Sequence, residues 1–320
     1  QENGALADLT RGQKNEHSTW CIRLRQFGEE GEEGRTRRYG KRLKSRPQLV
    51  VKATKEMAPL LMSFGGRVNL KSPDCKLYLL EGLNGREKML VRMLAQGPAT
   101  STIAPVTRLC VTNTPLNPIA AFSLCNAARI RKGYSILDPF AGSCSILLAS
   151  TMIVPDCKTV SIELASDKSV NREDIKQDFL TRNLKPPVSM IEGDSMDAKI
   201  RDKALEAING GPFDAIITDP PYGIREKATG TEDPSITQLV RNIAFDRKRG
   251  SRLLKKGGHL VAFVPCRKCE SEDENDDDLI YKELPNEDDI KDAGLKMTNL
   301  MEQPLNSLLS RWMVVYLCIL

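Results

Sequence analysis

Short apolar runs alternate with amphipathic segments along the chain from Tyr134 onward. The runs 135–137, 159–162, 188–191, 214–217 and 259–264 predict strands. The segments between them predict helices, the clearest of which are 145–153 and 166–183. Because strands that alternate with helices form parallel sheets covered on both faces, the pattern predicts a doubly wound α/β domain. In such a domain, ligands bind at the carboxyl ends of the strands.

The two ends of the chain show different patterns. The runs 296–301 and 312–320 follow each other without a helix, which predicts an antiparallel hairpin at the edge of the sheet. The N-terminal third is typical of a small mixed α/β module, with strands predicted at 20–24, 48–51, 68–70 and 76–80. A link at 112–115 separates the two parts and leads into an apolar helix over 117–128, with Pro118 in its first turn. The domains predicted from these patterns are 1–111 and 112–320.

Length and composition agree with two globular domains. The 320 residues are 40% hydrophobic and 28% charged, which excludes disordered, collagen-like and disulfide-scaffold proteins. The longest wholly apolar run, 313–320, is far shorter than the ~20 residues of a membrane-spanning helix. The odd number of cysteines, nine, and the polar N-terminus predict a soluble, cytoplasmic protein without a signal peptide. The chain opens at Gln1 rather than Met, as a fragment of a longer protein would.

Charge is distributed unevenly. Residues 1–110 hold 20 Lys and Arg against 11 Asp and Glu, whereas the remaining residues hold 27 against 31. Seven basic residues fall within 35–46, which is the electrostatic footprint of a module that binds a polyanion. A solvated basic loop without a partner is the alternative. The acidic run 270–278 has no apolar residues to pack and predicts a solvated insertion.

Candidate chemistry lies at the predicted strand ends. Asp138 ends the first strand, and a turn of small residues leads from it into a helix, which lets backbone N–H groups approach a ligand. Glu163 and Asp194 follow the next two strands, where acids accept hydrogen bonds from a ribose and an adenine. Taken singly, the loop is as often an ordinary tight turn between a strand and a helix, and each acid is more often a surface residue than a ligand. Together, at one rim of a parallel sheet, they predict a nucleoside-bearing ligand.

The most specific motif is Asp219-Pro220-Pro221-Tyr222, directly after a buried strand. The two prolines fix the backbone and lack N–H donors, so Asp219 and the Pro220 carbonyl can both accept from one exocyclic amine. Tyr222 offers a ring on which a flat base can stack. This geometry orients the nitrogen lone pair towards an electrophilic methyl group and requires no metal or covalent nucleophile.

Residues 138–145 together with Asp219-Pro220-Pro221-Tyr222 resemble the S-adenosylmethionine-dependent amino-methyltransferases. The longer strings 218–226 and 170–175 resemble the tRNA (guanine(10)-N(2))-methyltransferases of eukaryotes and archaea. Residues 68–74 are similar to the THUMP domain of that family. The resemblance implies a Rossmann-like, seven-stranded methyltransferase domain behind a small α/β THUMP-like domain.

The resemblance also implies S-adenosylmethionine as cofactor. In the family, the 138–145 loop holds its methionine part, Glu163 matches the ribose-binding acid, and Asp194 the adenine-binding acid. Thr114 matches a position near the cofactor carboxylate. The implied cofactor contacts are Thr114, Asp138, Phe140, Ala141, Gly142, Ser143, Glu163, Asp194, Ser195 and Asp219. The implied catalytic residues are Asp219, Pro220, Pro221 and Tyr222.

Two partners are implied by the same resemblance. A THUMP domain docks the acceptor end of tRNA, in agreement with the positive charge of residues 1–110. The expected RNA contacts are Arg35, Arg37, Arg38, Lys41, Arg42, Lys71 and Arg225. The eukaryotic family members act with a small zinc-binding activator subunit, so a heterodimer is expected for a eukaryotic chain.

The chain departs from the family in its cofactor loop. The family has Gly-Thr-Gly-Ser where this chain has Gly142-Ser143-Cys144-Ser145, and a side chain at the second glycine position resists a positive φ. Whether Cys144 weakens binding of the cofactor is left open by the sequence. Cys266 and Cys269 have a spacing suited to zinc but lack a second ligand pair, so no metal site is expected.

Two alternatives to a tRNA methyltransferase stay open. The first is methyl transfer to an amine of ribosomal RNA or DNA, or to a protein glutamine, which the Asp219 motif alone does not exclude. The second is a catalytically inactive RNA-binding scaffold, suggested by Cys144. The THUMP-like segment favours tRNA over DNA and protein.

Overall fold

A computed structural model describes residues 19–26, 55, 67–73, 75–83, 86–92, 100–164, 170–221, 235–246, 249–267, 276–306 and 308–320. The chain divides into two compact units, Gln1–Gly97 and Pro98–Leu320. This division precedes the predicted boundary at 111/112. The reason is that two short 3-10 helices, Thr100–Ile103 and Pro105–Thr107, lead into a segment whose Ile103 and Cys110 are buried in the core of the second unit.

The N-terminal unit contains a four-stranded sheet. Its strands are β1 (Thr19–Gln26), β2 (Arg67–Val68), β3 (Cys75–Leu83) and β4 (Arg86–Arg92), in the order β2-β1-β3-β4. β1 runs parallel to β2 and β3, and β3 and β4 form an antiparallel hairpin. Leu24 of β1 and Leu79 of β3 are buried in a common cluster. The strands predicted at 20–24 and 76–80 are confirmed, whereas the strand predicted at 68–70 lies earlier, at Arg67–Val68. β4 was not predicted, and 48–51 lies outside the described residues.

In the described ranges, the second unit contains nine strands: β5 (Ser135–Asp138), β6 (Lys158–Glu163), β7 (Ser189–Glu192), β8 (Phe213–Thr218), β9 (Phe245–Asp246), β10 (Ser251–Arg252), β11 (Leu254–Arg267), β12 (Leu295–Pro304) and β13 (Leu309–Cys318). Seven of them form one sheet in the order β12-β13-β11-β8-β5-β6-β7, and β9 and β10 form a separate two-stranded ribbon. The strands β7, β6, β5, β8 and β11 run parallel, whereas β13 is antiparallel to both β11 and β12. The predicted parallel sheet and its edge hairpin are therefore confirmed.

Seven helices are found among the described residues of this unit. They are α1 (Pro118–Ala127), α2 (Ser145–Ile153), α3 (Arg172–Leu180), α4 (Ala198–Glu206), α5 (Ile236–Gln238, extended by a π-helical turn Leu239–Ala244), α6 (Asp276–Glu283) and α7 (Glu287–Asp292). The predicted α1 and α2 are confirmed. The predicted helix 166–183 is shorter, because Asn171 Oδ1 caps α3 by accepting from the Glu173 N–H at 2.9 Å.

The acidic run is partly helical rather than a wholly solvated insertion. Residues 276–278 open α6, whose Ile280 is fully buried in the core. Residues 270–275 lie outside the described part of the chain. The run therefore leads into a packed element, which its composition alone did not indicate.

Alternate residues of the central strands are buried on opposite faces of the sheet. Ile136 packs with α1, α2 and α3, whereas the next residue, Leu137, packs on the side of α4 and α5. Burial on both faces explains the continuous apolar runs of these strands. β5 pairs with β6 on one side and β8 on the other, so the strand order reverses there. Such a switch point opens a crevice at the carboxyl ends of the two strands.

Candidate active site

Asp138, the last residue of β5, is buried at the switch point. Its Oδ1 accepts hydrogen bonds from Thr218 Oγ1 at 2.8 Å and from the Phe140 N–H at 3.2 Å. Burial raises the pKa of Asp138 to about 7, and the nearby charges of Glu163 and Asp219 add to the rise, whereas the two hydrogen bonds oppose it. Of the acids predicted at strand ends, Glu163 and Asp219 therefore act electrostatically on Asp138, whereas Asp194 is not among the charges that do.

We expect Asp138→Asn to stabilise the protein most at alkaline pH. The pKa of Asp138 is raised from 3.8 to about 7 on folding, so its contribution to stability is complete below the lower value and is lost as pH rises through the higher one. Asparagine keeps the Oδ1 acceptor and stays neutral. Thermal unfolding should therefore show a larger Tm advantage of the variant at about pH 8.5 than at about pH 5. An advantage independent of pH would contradict the raised pKa.

Glu163 joins the end of β6 to the loop after β5. Its Oε2 accepts from the Gly142 N–H at 2.5 Å, and its Oε1 accepts from the Leu164 N–H at 3.1 Å. Gly142 has φ +48°, a conformation that glycine adopts without a steric penalty. The carboxylate is half-buried at the rim, where an acid of a doubly wound fold accepts from ribose hydroxyls.

Gly193 and Ser195 shape the end of β7. Gly193 has φ +150°, and a Cβ there would lie 2.4 Å from the Ile200 side chain, so only glycine fits. Its N–H donates to the Glu163 carbonyl at 3.0 Å, which holds β6 and β7 together at this rim. Asp194 is exposed and its Oδ1 accepts from the Met196 N–H at 2.8 Å, whereas the Ser195 side chain is buried. The requirement for Gly193 was not recognised from the sequence.

Cys144 adopts the conformation that its β-carbon was expected to resist. It precedes α2 with φ +60° and ψ +31°, and its side chain is 1% exposed within the apolar cluster of α1 and α2. Burial raises the pKa of its thiol to about 12. The side chain therefore points into the core rather than into the space above the loop, which removes the steric reason for expecting weak cofactor binding.

Arg108 supports the 138–145 loop through hydrogen bonds, a contact that was not predicted from the sequence. Its guanidinium donates to Ser145 Oγ at 2.6 Å, to Ser143 Oγ at 3.3 Å and to the Ser143 carbonyl. The side chain is 2% exposed and pairs with Asp178 of α3, Nε to Oδ2, at 3.2 Å. Asp178 also accepts from the Leu109 N–H at 2.9 Å. The loop thus rests on a buried ion pair.

The Asp219 motif leaves the carboxyl end of β8. Asp219 is half-buried, and its Oδ2 lies 3.6 Å from Arg311 Nη1 of β13. Pro220 is buried and Pro221 half-buried, so the two prolines are anchored beside the sheet. Tyr222 lies outside the described residues. β8 neighbours β5, so Asp219 and Asp138 share the rim at the switch point.

The remaining predicted site residues differ in their burial, and some lie outside the described residues. Thr114 is exposed, in a segment whose Thr112 Cγ2 lies 3.6 Å from the position of a Cβ on Gly142. Phe140 and Ala141 pack against the two core clusters, and Ser143 is buried. Lys71 is exposed on a turn of the N-terminal unit. The other RNA contacts expected from the sequence, Arg35, Arg37, Arg38, Lys41, Arg42 and Arg225, lie outside the described residues.

Within the described ranges, no group of three or more His, Cys, Asp and Glu side chains could hold a metal ion. Cys266, one member of the discounted thiol pair, is buried, and Cys269 lies outside those ranges. No helix in the described part of the chain is long and apolar enough to cross a membrane.

The fold and the rim define a doubly wound α/β protein with a crevice at the carboxyl ends of β5 and β8. The Glu163 carboxylate accepts from the Gly142 N–H at this rim, and Gly142 adopts a positive φ there. Residues 105–269 match the family described as the RMKL-like methyltransferase domain. The chain belongs to this family.

Relatives in the curated collection of proteins agree with that assignment. The chicken (Gallus gallus) tRNA (guanine(10)-N(2))-methyltransferase TRMT11 is 26% identical over 67% of this chain and 54% of its own length. The tRNA (guanine(10)-N2)-dimethyltransferase of Methanocaldococcus jannaschii is 32% identical over 46% of this chain and 37% of its own. The chain spans about half the length of the first of these relatives. The family resemblance found in the sequence is confirmed, and the THUMP-like domain stays a prediction.

Among solved structures, TrmN from Thermus thermophilus is 18% identical and aligns over 99% of this chain and 77% of its own, with a TM-score of 0.43.

Proposed function

We propose that this chain is an S-adenosylmethionine-dependent tRNA methyltransferase that modifies the 2-amino group of a guanine. The observation that carries the proposal is the meeting of Asp138, Glu163 and Asp219 at the ends of β5, β6 and β8, with two prolines directly after Asp219. The membership of residues 105–269 in a methyltransferase family and the tRNA substrates in the names of the relatives support it.

The chemistry follows from the residues at the rim. When bound, S-adenosylmethionine would supply an electrophilic methyl group. The Asp219 carboxylate would accept the proton that the guanine nitrogen loses as the new N–C bond forms. Glu163 would accept from the ribose hydroxyls, and the 138–145 loop would present its N–H groups to the methionine part. Asp219 and the Pro220 carbonyl would accept from the amine and hold its lone pair in line with the methyl group.

The residues fit this use because they are fixed before any ligand binds. Glu163 Oε2 holds the Gly142 N–H at 2.5 Å, and the Arg108 and Asp178 pair supports the same loop from the opposite side. Such preorganisation is what positioning catalysis requires, since no metal or covalent nucleophile participates. A guanine in a folded stem must leave its stack to reach Asp219, at a cost of a few kcal/mol.

Further parts of the proposal concern partners. The excess of basic residues in 1–110 supports tRNA docking by the N-terminal unit, where Lys71 is exposed. We extend the proposal to a cytoplasmic heterodimer with a small zinc-binding activator subunit, which rests on the family resemblance alone.

The test is nucleoside analysis of RNA from cells that lack the protein. We expect N2-methylguanosine to fall in the tRNA pool and to return when the wild-type chain is re-expressed, with ribosomal RNA and DNA unchanged. A loss confined to ribosomal RNA or DNA would replace the substrate in the proposal. An unchanged profile, together with no binding of S-adenosylmethionine in a calorimetric titration, would favour an inactive RNA-binding scaffold.

A further inference from the structure

Arg311 of β13 reaches the carboxylate of Asp219 from two strands away. The distance from its Nη1 to Asp219 Oδ2 is 3.6 Å, and the side chains are 8% and 22% exposed. The guanidinium carbon lies 4.1 Å above the centre of the Phe263 ring, on β11. Its Nε donates to Gln303 Oε1 on β12 at 2.8 Å. Three neighbouring strands therefore fix the orientation of one guanidinium beside the Asp219 motif.

The sheet order explains how this contact arises. β11 lies between β8 and β13, and Ala262 of β11 pairs with Thr218, the residue before Asp219. Phe263, the next residue, supplies the ring over which the Arg311 side chain crosses. The antiparallel hairpin of β12 and β13 thus has a direct connection to the crevice. The hairpin therefore both covers the edge of the sheet and supplies a side chain that contacts Asp219.

A buried guanidinium is costly unless a charge and hydrogen bonds compensate it. The charges of Glu163 and Asp219 both act on the buried Asp138, so three acids belong to one rim. Arg311 places a guanidinium 3.6 Å from Asp219 Oδ2, and its planar group, stacked on Phe263, favours one orientation of the carboxylate.

We propose that Arg311 is a positioning residue for methyl transfer, which holds the Asp219 carboxylate in one orientation for the incoming amine. The proposal rests on the proposed function, because it concerns the same amine. Arg311 acts through Asp219 and does not itself contact the reacting atoms.

The test compares two arginines that are each stacked on a phenylalanine. Arg252 lies 4.7 Å above Phe245 and donates to the Ala293 carbonyl at 2.5 Å, in a ribbon separate from the main sheet. In the complex purified from its own cells, Arg311→Met should lower kcat for tRNA methylation about 100-fold. The KM for tRNA and the Kd for S-adenosylmethionine should stay within about twofold. Arg252→Met should leave all three values unchanged.

Two further variants separate positioning from a structural role. Arg311→Lys keeps the charge and should recover part of the lost kcat. In an Asp219→Asn background, Arg311→Met should lower kcat by no more than about twofold, because the two residues act as one unit. A kcat for Arg311→Met within twofold of wild type, or a loss that reappears in full in the Asp219→Asn background, would overturn the proposal.

Thermal unfolding tests the contact between Arg311 and Asp219 without a measurement of enzyme activity. If Arg311 contacts Asp219 as described, the Tm losses of Arg311→Met and Asp219→Asn are non-additive in the double variant, and additive losses would overturn the contact. An assay of the wild-type protein on separate nucleic acids tests the proposed function independently of Arg311. If it methylates an amine of another nucleic acid, the tRNA assignment fails, and the Arg311 comparison is made on that substrate.

Discussion

Asp219→Ala should reduce methyl transfer by about 100- to 1,000-fold, the range typical for loss of one preorganised polar contact to a transition state. Asp219 follows β8 directly and shares the rim with Asp138, so its removal takes away the acceptor that aligns the amine. Binding of S-adenosylmethionine should persist, because Glu163 and the loop around Gly142 are held by contacts that do not involve Asp219. Single-turnover rates and calorimetry measure the two effects separately.

Asp214 provides the control on the same strand. It lies at the opposite end of β8, where its Oδ2 accepts from the Ser135 N–H at 2.9 Å and its Oδ1 pairs with Lys255 at 3.1 Å. Asp214→Ala should lower the Tm and leave kcat unchanged at a temperature where the variant is folded. Equal losses of kcat in both variants would mean that any acid on β8 affects the rate through stability, which would contradict the role of Asp219.

The parallel core of the fold could be predicted from the sequence because its strands are buried on both faces. Ile136 and Leu137 pack on opposite sides of the sheet, so β5 appears in the sequence as an uninterrupted apolar run. α4 could not be predicted in the same way. Its buried face holds Ala204 and the charged Arg201, which is buried only because Asp246 pairs with it at 2.5 Å. A partner that distant in sequence leaves no periodic signal.

The same distinction applies to the candidate site. Asp138, Glu163 and Asp219 could be predicted because each ends a strand of the parallel sheet, and parallel strands bring their carboxyl ends to one rim. Arg108 and Arg311 could not, because neither belongs to a recognisable motif. Each becomes part of the site only when packing brings it to an acid on another element. The supporting residues therefore required the structure, whereas the candidate ligands did not.

Arg108→Met should destabilise the second unit by about 3–5 kcal/mol, which corresponds to a fall in Tm of about 10 °C or more. The substitution leaves Asp178 buried with one cation fewer and removes the donors to Ser143 and Ser145. Asp178 keeps Arg182, whose Nη1 lies 3.3 Å from its Oδ1, so the main cost is the loss of the more deeply buried of its two ion pairs. Because the loop loses its support, the Kd for S-adenosylmethionine should rise as well. Thermal unfolding and calorimetry measure these two changes.

Arg172→Met is the matched control, because Arg172 begins the helix that carries Asp178 and also forms an ion pair. Its Nη2 lies 2.9 Å from Glu192 Oε2, but the two side chains are 44% and 53% exposed. Water replaces such a pair readily, so its loss should cost no more than about 1 kcal/mol. A similar Tm for the two variants would show that Arg182 and the backbone N–H groups around Asp178 suffice to stabilise its carboxylate, which would contradict the role of Arg108. If Arg108→Met instead lowers the Tm and leaves the Kd for S-adenosylmethionine unchanged, the contacts of Arg108 stabilise the fold without positioning the 138–145 loop for the cofactor.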